Sequence, residues 1–273
     1  MTKGDFRNFF LIGSLLNASS LNGQPLLKTS GTDAHSIISS QLFVQASESS
    51  TAKDSVVPSP RNAPLREIGP GIFQLGDITI DKHQRTVSFP AVLNLRQGAM
   101  EYLLVSSWGK VHESILRTET EPYRIHLAML LLGAKGAGTN DEETIEVPGP
   151  FLSHPANVRV PGDHISIEIR WKTNAKEIRR RAEELVYNVQ KKSRLGRGNW
   201  IYNGSFMEET TFLAQREGSI ISLVTDPEAL INSNGVGHDN DTIWIANTNR
   251  LPSANVPLQV LIKLSKPSQK RQR

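Results

Sequence analysis

The chain has 273 residues, with 31 Lys and Arg against 27 Asp and Glu, a formal charge of +4 and a sequence pI of about 9.3. It has no cysteine, which excludes an iron–sulfur cluster, a thiolate nucleophile, a Cys-type zinc site and a disulfide framework. With 38% hydrophobic and 21% charged residues, and no apolar run near the ~20 residues that span a bilayer, composition points to a soluble globular domain without redox chemistry.

The chain opens Met-Thr-Lys-Gly-Asp-Phe-Arg, continues with a short apolar stretch over residues 8–16 and then offers the small residues Asn17-Ala-Ser-Ser20. This order reads as a secretory signal over residues 1–20, weakened by Asp5, with a buried amphipathic segment as the alternative. The location expected from it is secreted or periplasmic, or membrane-anchored at the N-terminus if the signal stays uncleaved. Residues 21–66 are rich in Ser, Thr, Ala and Pro, and their apolar patches, Ile37-Ile38 and Leu42-Phe43-Val44, are isolated. Such a segment cannot offset its ordering entropy and reads as a disordered linker; a structured arm covering the domain is the alternative.

The folded part is expected over residues 67–265, where short apolar runs alternate with Gly, Pro, Asn and Asp. Ile78-Thr-Ile80 and Thr86-Val-Ser-Phe89 flank a hairpin turn, and residues 101–115 read as a second hairpin around Ser107-Trp-Gly-Lys110. Pro122 to Gly133 is marked at both ends as a helix, and its all-apolar second half predicts burial. Residues 164–171 alternate with period two, placing Ile165, Ile167 and Ile169 on the core face. Residues 176–186 have helix propensity but follow a turn of hairpin length, so their first half is read as a strand. Further strands are expected at 200–202, 211–214, 220–224, 242–246 and 260–264, and a short helix at 226–231, where Asp226 caps and Pro227 opens it. The fold class is α+β: a mostly antiparallel, sandwich-like core with one buried helix near 122–133 and a short one near 226–231.

The net charge is a sum of unlike parts. The tail, residues 266–273, carries four cations and no acid, and residues 172–197 carry nine cations and three acids, leaving −6 for everything else. A high pI spread this way is poor support for nucleic-acid binding, which is not expected. Within the basic stretch, Arg179, Arg180, Arg181, Lys191 and Lys192 are the candidates for gripping a polyanion.

Several runs in order, Ile80-Asp-Lys-His-Gln-Arg-Thr-Val-Ser-Phe-Pro90, Glu101-Tyr-Leu-Leu-Val105, Gly109-Lys-Val-His-Glu-Ser114, the helix ending Leu-Leu-Leu-Gly133, Trp200-Ile-Tyr-Asn-Gly-Ser205 and Asp226-Pro-Glu-Ala-Leu-Ile-Asn232, resemble bacterial proteins carrying the YdjY domain. The resemblance implies an exported protein with a single such domain and no established activity.

Two polar sets are candidates for chemistry. Glu101, His112, Glu113 and His126 offer two imidazoles and carboxylates, the ligand types of a hydrolytic zinc site with an open position. The 14-position gap between the histidines fits no standard spacing, and alternation separates His112 from Glu113; a histidine that orders the hairpin against the helix explains the same residues. Ser114 beside His112 lacks a nucleophile elbow and a third partner. The second set, Glu217, Asp226, His238, Asp239 and Asp241, has alternate carboxylates that suit a Ca²⁺ loop but no EF-hand pattern, and a polar turn explains it equally. No cofactor is expected, with zinc or calcium as the alternatives. The leading expectation is therefore an exported, non-catalytic binding or structural module of the cell envelope, whose partner is an anionic envelope polymer or another envelope protein. A metal-dependent hydrolase using His112 and His126, and a polyanion-binding domain using residues 172–197, are the competing readings.

Overall fold

The computed structural model describes residues 64–137 and 160–266. The expected signal, nearly all of the linker, residues 138–159 and the tail beyond Lys266 lie outside the described residues. β1 (Leu65–Gly69), β2 (Ile72–Leu75) and β3 (Ile78–Asp81) form an antiparallel meander leading into β4 (Thr86–Leu93), so the expected hairpin at residues 78–89 forms. β5 (Tyr102–Ser106), β6 (Ser114–Thr118) and helix α1 (Pro122–Leu131) follow.

β7 (Asp163–Thr173) and β8 (Lys176–Arg181) make a tight hairpin. Asn174 and Ala175 take positive φ of 47° and 61°, the left-handed pair whose twist matches that of the flanking strands. The strand reading of residues 176–181 holds because pairing with β7 overrides helix propensity, which survives only as a single 3₁₀ turn at Ala182–Glu184. The chain continues through β9 (Val186–Asn188), β10 (Trp200–Tyr202), β11 (Met207–Glu208), β12 (Thr211–Phe212), α2 (Leu213–Glu217), β13 (Ser219–Ser222), β14 (Ile231–Ser233), β15 (Trp244–Ala246) and β16 (Leu258–Leu264).

The main sheet runs β4-β16-β7-β10-β14-β13-β5-β6, and β6 returns to β4 through Arg117↔Val92 and Leu116↔Leu93, closing an eight-strand barrel. The fold is thus mostly β with two α-helices among the described residues, and the sandwich-like α+β core expected from the sequence is corrected. Alternation alone does not separate the two architectures, because each has one apolar inner face. The deciding feature is β4, whose first half pairs with β3 and whose last residues reach β6. Cross-strand rows such as Ile169–Val260–Phe89 and Ile167–Ile262–Val87 are buried in one apolar cluster. An eight-strand barrel is just wide enough for such side chains to fill it.

Other expectations are also corrected. β5 and β6 pair in parallel, Tyr102↔Ser114 to Ser106↔Thr118, and are not the arms of an antiparallel hairpin. Between them Gly109 packs so closely on a neighbouring backbone that a Cβ there would lie 2.9 Å from Gly218 O, and a 3₁₀ turn at Val111–Glu113 returns the chain to the start of β6. The second half of α1 is not fully buried: Leu130 and Leu131 are 43% and 41% exposed, while Ile125, Ala128 and Met129 face the core. No helix forms at 226–231, because Asp226 closes a turn and Ile231 already pairs in β14. Leu213 and Ala214, expected in a strand, instead start α2.

Candidate functional site

Successive strand residues point to opposite faces. At the head of β5, Glu101 and Tyr102 therefore take different partners. The Tyr102 hydroxyl donates to Asp226 Oδ2 (2.9 Å) and accepts from Lys110 Nζ (2.9 Å). Asp226 is fixed by its turn: Oδ1 accepts from the Glu228 amide (2.9 Å), its amide donates to Asn232 Oδ1 (2.7 Å), and its carbonyl accepts from Asn232 Nδ2 (2.8 Å). Asn232 also donates to Asn203 Oδ1 (2.9 Å), and both amides are buried, so the network satisfies itself away from water.

Burial, then the Asp226 carboxylate, pushes the Tyr102 phenol far above its ordinary range, so it stays protonated and serves as a donor. Burial, then Glu113, raises Glu101, with Asp241 adding to the shift and Lys110 opposing it. Glu228 is raised by burial and by Asp226 and Glu217, again with Lys110 and Arg216 opposing. Lys110 is therefore common to the two polar sets read separately in the sequence: its charge acts on Glu101, and Asp226 reaches it through Tyr102.

The histidines of the first set go to different places. His112 is 77% exposed at its side chain and lies 3.8 Å from Glu113. His126, on α1, shares a 2.8 Å hydrogen bond between Nδ1 and the Tyr202 hydroxyl and packs 4.9 Å from the Phe212 ring. Burial lowers its pKa, and the same burial raises that of Tyr202, so both rings are held neutral. Ser114 is fully buried and donates to Leu116 O (2.8 Å).

In the second set, Glu217 pairs with Arg216 at 2.6 Å. His238 is buried, with Nδ1 2.6 Å from Thr225 Oγ1. Asp239 and Asp241 are exposed on a turn that Asn240 Oδ1 closes by accepting from the Thr242 amide (2.9 Å). Among the described residues no group of three or more His, Asp or Glu side chains is placed to hold a metal ion.

The basic stretch separates into two surfaces. On the β7–β8 hairpin three of the four arginines have carboxylate neighbours: Arg170 pairs with Glu168, Arg179 with Glu177 at 2.6 Å, and Arg181 with Glu184 of the following 3₁₀ turn at 3.8 Å, while the exposed Lys172 and Lys176 make no ion pair among the described residues. Arg180 falls opposite Ile169 and is half-buried. The loop between β9 and β10, residues 189–199, is different. Its base is fixed: Asn188 and Ser193 exchange backbone hydrogen bonds (2.7 and 3.3 Å), the Lys191 amide donates to Asn188 Oδ1 (2.8 Å), and the Gly198 amide donates to Glu183 Oε1 (3.2 Å). The neighbouring turn locks onto it through Asn234 N to Asn199 O (2.6 Å), and Gly235 lies where a Cβ would meet Leu195 Cδ1 at 2.5 Å. Lys191, Lys192, Arg194 and Arg197 are all exposed on this loop and make no ion pair among the described residues.

Sequence reasoning singled out Lys191 and Lys192 but not Arg194 and Arg197, although all four lie in the same acid-free run. It missed the Lys110–Tyr102–Asp226 connection, for which no sequence signal exists, since Tyr102 and Asp226 lie 124 positions apart.

A family model of the YdjY domain matches residues 78–263, the span that contains the barrel except Leu264 at the end of β16, together with α1 and the loop. No curated protein and no solved structure matches the chain. The chain belongs to the YdjY domain family.

Proposed function

We propose that this domain is an exported binding module that engages an anionic polymer of the cell envelope through the loop at residues 189–199. The observation that carries the reading is the set of four exposed cations, Lys191, Lys192, Arg194 and Arg197, without a paired carboxylate among the described residues, on a loop whose base is fixed by hydrogen bonds. A pinned loop loses little conformational freedom on binding, and like charges held together attract a polyanion by releasing its condensed counterions. Export is supported by the order of basic, apolar and small residues over 1–20. A binding role is supported by the state of the candidate acids and bases: the Tyr102 and Tyr202 phenols are held protonated, His126 is held neutral against Tyr202, and the Ser114 hydroxyl is occupied by backbone.

The test is fluorescence anisotropy of the full chain with labelled polygalacturonate, using neutral dextran as the control. Saturable binding to the acidic polymer alone, weakening as salt rises, is the expected result. Equal affinity for dextran, or affinity indifferent to salt, would overturn the proposal.

A further inference from the structure

A second cationic feature lies in the barrel wall where β4 begins beside β16 and β7. A cleft of about 620 Å³ opens there, and Gln84, Arg85, Ser166, Lys263 and Lys266 line it without a carboxylate among its lining residues. The strand register assembles it. Lys263 is opposite Thr86 on one side and Ser166 on the other, so both of its cross-strand neighbours are neutral hydroxyls. Arg85 is anchored beside it: its carbonyl accepts from the Leu264 amide (2.9 Å), and its own φ is +57°. His83 also reaches the cleft, but its Nε2 lies 3.1 Å from Pro70 O and ties it to the β1–β2 turn. The nearest acid in sequence, Asp81, uses Oδ1 to accept from the Gln84 amide (2.9 Å).

None of Arg85, Lys263 and Lys266 makes an ion pair among the described residues. The Arg85 Nε is moreover buried with no acceptor among them. A buried guanidinium N–H without an acceptor is unfavourable, and an anionic oxygen is the partner that satisfies it best. Three cations with a hydroxyl and an amide as further donors match a group with several acceptor oxygens better than a single carboxylate.

We infer that this cleft is a phosphoryl-binding site, separate from the loop at 189–199. The phosphoryl group belongs to a small phosphorylated compound or to a phosphate-bearing polymer; the chemistry that recognises it is the same. Isothermal titration of the full chain with inorganic pyrophosphate tests the site. The expected result is one saturable site, weakened about tenfold by Arg85→Gln and by Lys263→Gln, as loss of a charge-assisted contact predicts. Lys263 is exposed, so its variant remains informative even if Arg85→Gln fails to fold. Substituting Arg194 and Arg197 by Gln should leave pyrophosphate affinity unchanged, which separates failure of this site from failure of the loop. Long-chain polyphosphate that displaces pyrophosphate from the wild type supports the site with a polymeric source; polyphosphate that does not displace it supports the site with a small-molecule source. Absence of saturable pyrophosphate binding, wild-type affinity in the cleft variants, or loss of binding in the loop variant would overturn the inference.

Discussion

The β7–β8 hairpin and the loop at residues 189–199 come from one basic stretch of sequence, yet they present different surfaces. On the hairpin, Glu168 and Glu177 sit beside Arg170 and Arg179, because residues two apart in a strand share one face, and Glu184 of the 3₁₀ turn that follows comes within 3.8 Å of Arg181. On the loop, residues 189–199 contain no acid, and the four cations project without partners among the described residues. Exposed pairs of the hairpin kind add little stability, but they do cancel the local potential. Charge summed along a sequence therefore locates a basic segment, while pairing in the fold decides which part of it attracts an anion.

The contrast depends first on a rigid base under the loop. Trp244 is buried, its indole N–H donates to Gly237 O (3.0 Å), and its strand pairs with β9 immediately before the loop. Trp244→Ala should destabilise the domain by about 3–5 kcal/mol, measured by denaturant unfolding; a loss below about 1 kcal/mol would show that this base is not rigidly packed. The next effect is on binding. Replacing Lys191, Lys192, Arg194 and Arg197 together by Gln should weaken polygalacturonate binding by about a hundredfold at low salt, with an unchanged melting temperature.

A gain of function would sharpen the comparison further. Glu168→Gln, Glu177→Gln and Glu184→Gln combined should unmask the hairpin arginines and raise polymer affinity by about threefold, as expected for removing weak surface pairs. If affinity does not rise, the carboxylates are not what silences the hairpin.

The smallest effect separates binding from stability by pH. Burial lowers the His126 pKa below its ordinary value of 6.5, so the unfolded chain takes up this proton first as pH falls. The stability attached to neutral His126 is fully present above that ordinary value and is lost as pH falls through the folded value. The melting temperature should drop on acidification from pH about 8 to about 5.5, and less so in His126→Gln, whereas polymer affinity stays flat from pH about 8 to about 6 because Lys and Arg keep their charge there.

Strands were legible wherever alternation is local. The Ile165, Ile167 and Ile169 face, the Asn174-Ala175 turn and the start of α1 at Pro122 follow from neighbouring residues alone. Barrel closure was not, because it depends on Val92 and Leu93 meeting Arg117 and Leu116 across the sheet, a register choice that no periodicity encodes. The same limit explains the parallel pairing of β5 with β6: a turn-rich gap signals reversal, but the 3₁₀ turn carries the chain back before the second strand starts. At the sites, the sequence offered residue types but not partners. The sequence offers His126 both as a metal ligand and as a histidine that orders the hairpin against the helix, and Arg179 as an anion contact, but it shows neither the bond of His126 to Tyr202 nor Glu177 beside Arg179.

The most direct test of the central claim compares salt dependence in two variants of equal charge loss. Polygalacturonate affinity of the full chain is measured across ionic strength for the wild type, for Lys191→Gln/Lys192→Gln/Arg194→Gln and for Arg179→Gln/Arg180→Gln/Arg181→Gln. The loop variant should flatten the slope of log affinity against log salt by roughly two, while the hairpin variant keeps a slope close to wild type. Equal flattening in both, or flattening in the hairpin variant alone, would contradict the assignment of anion binding to the loop.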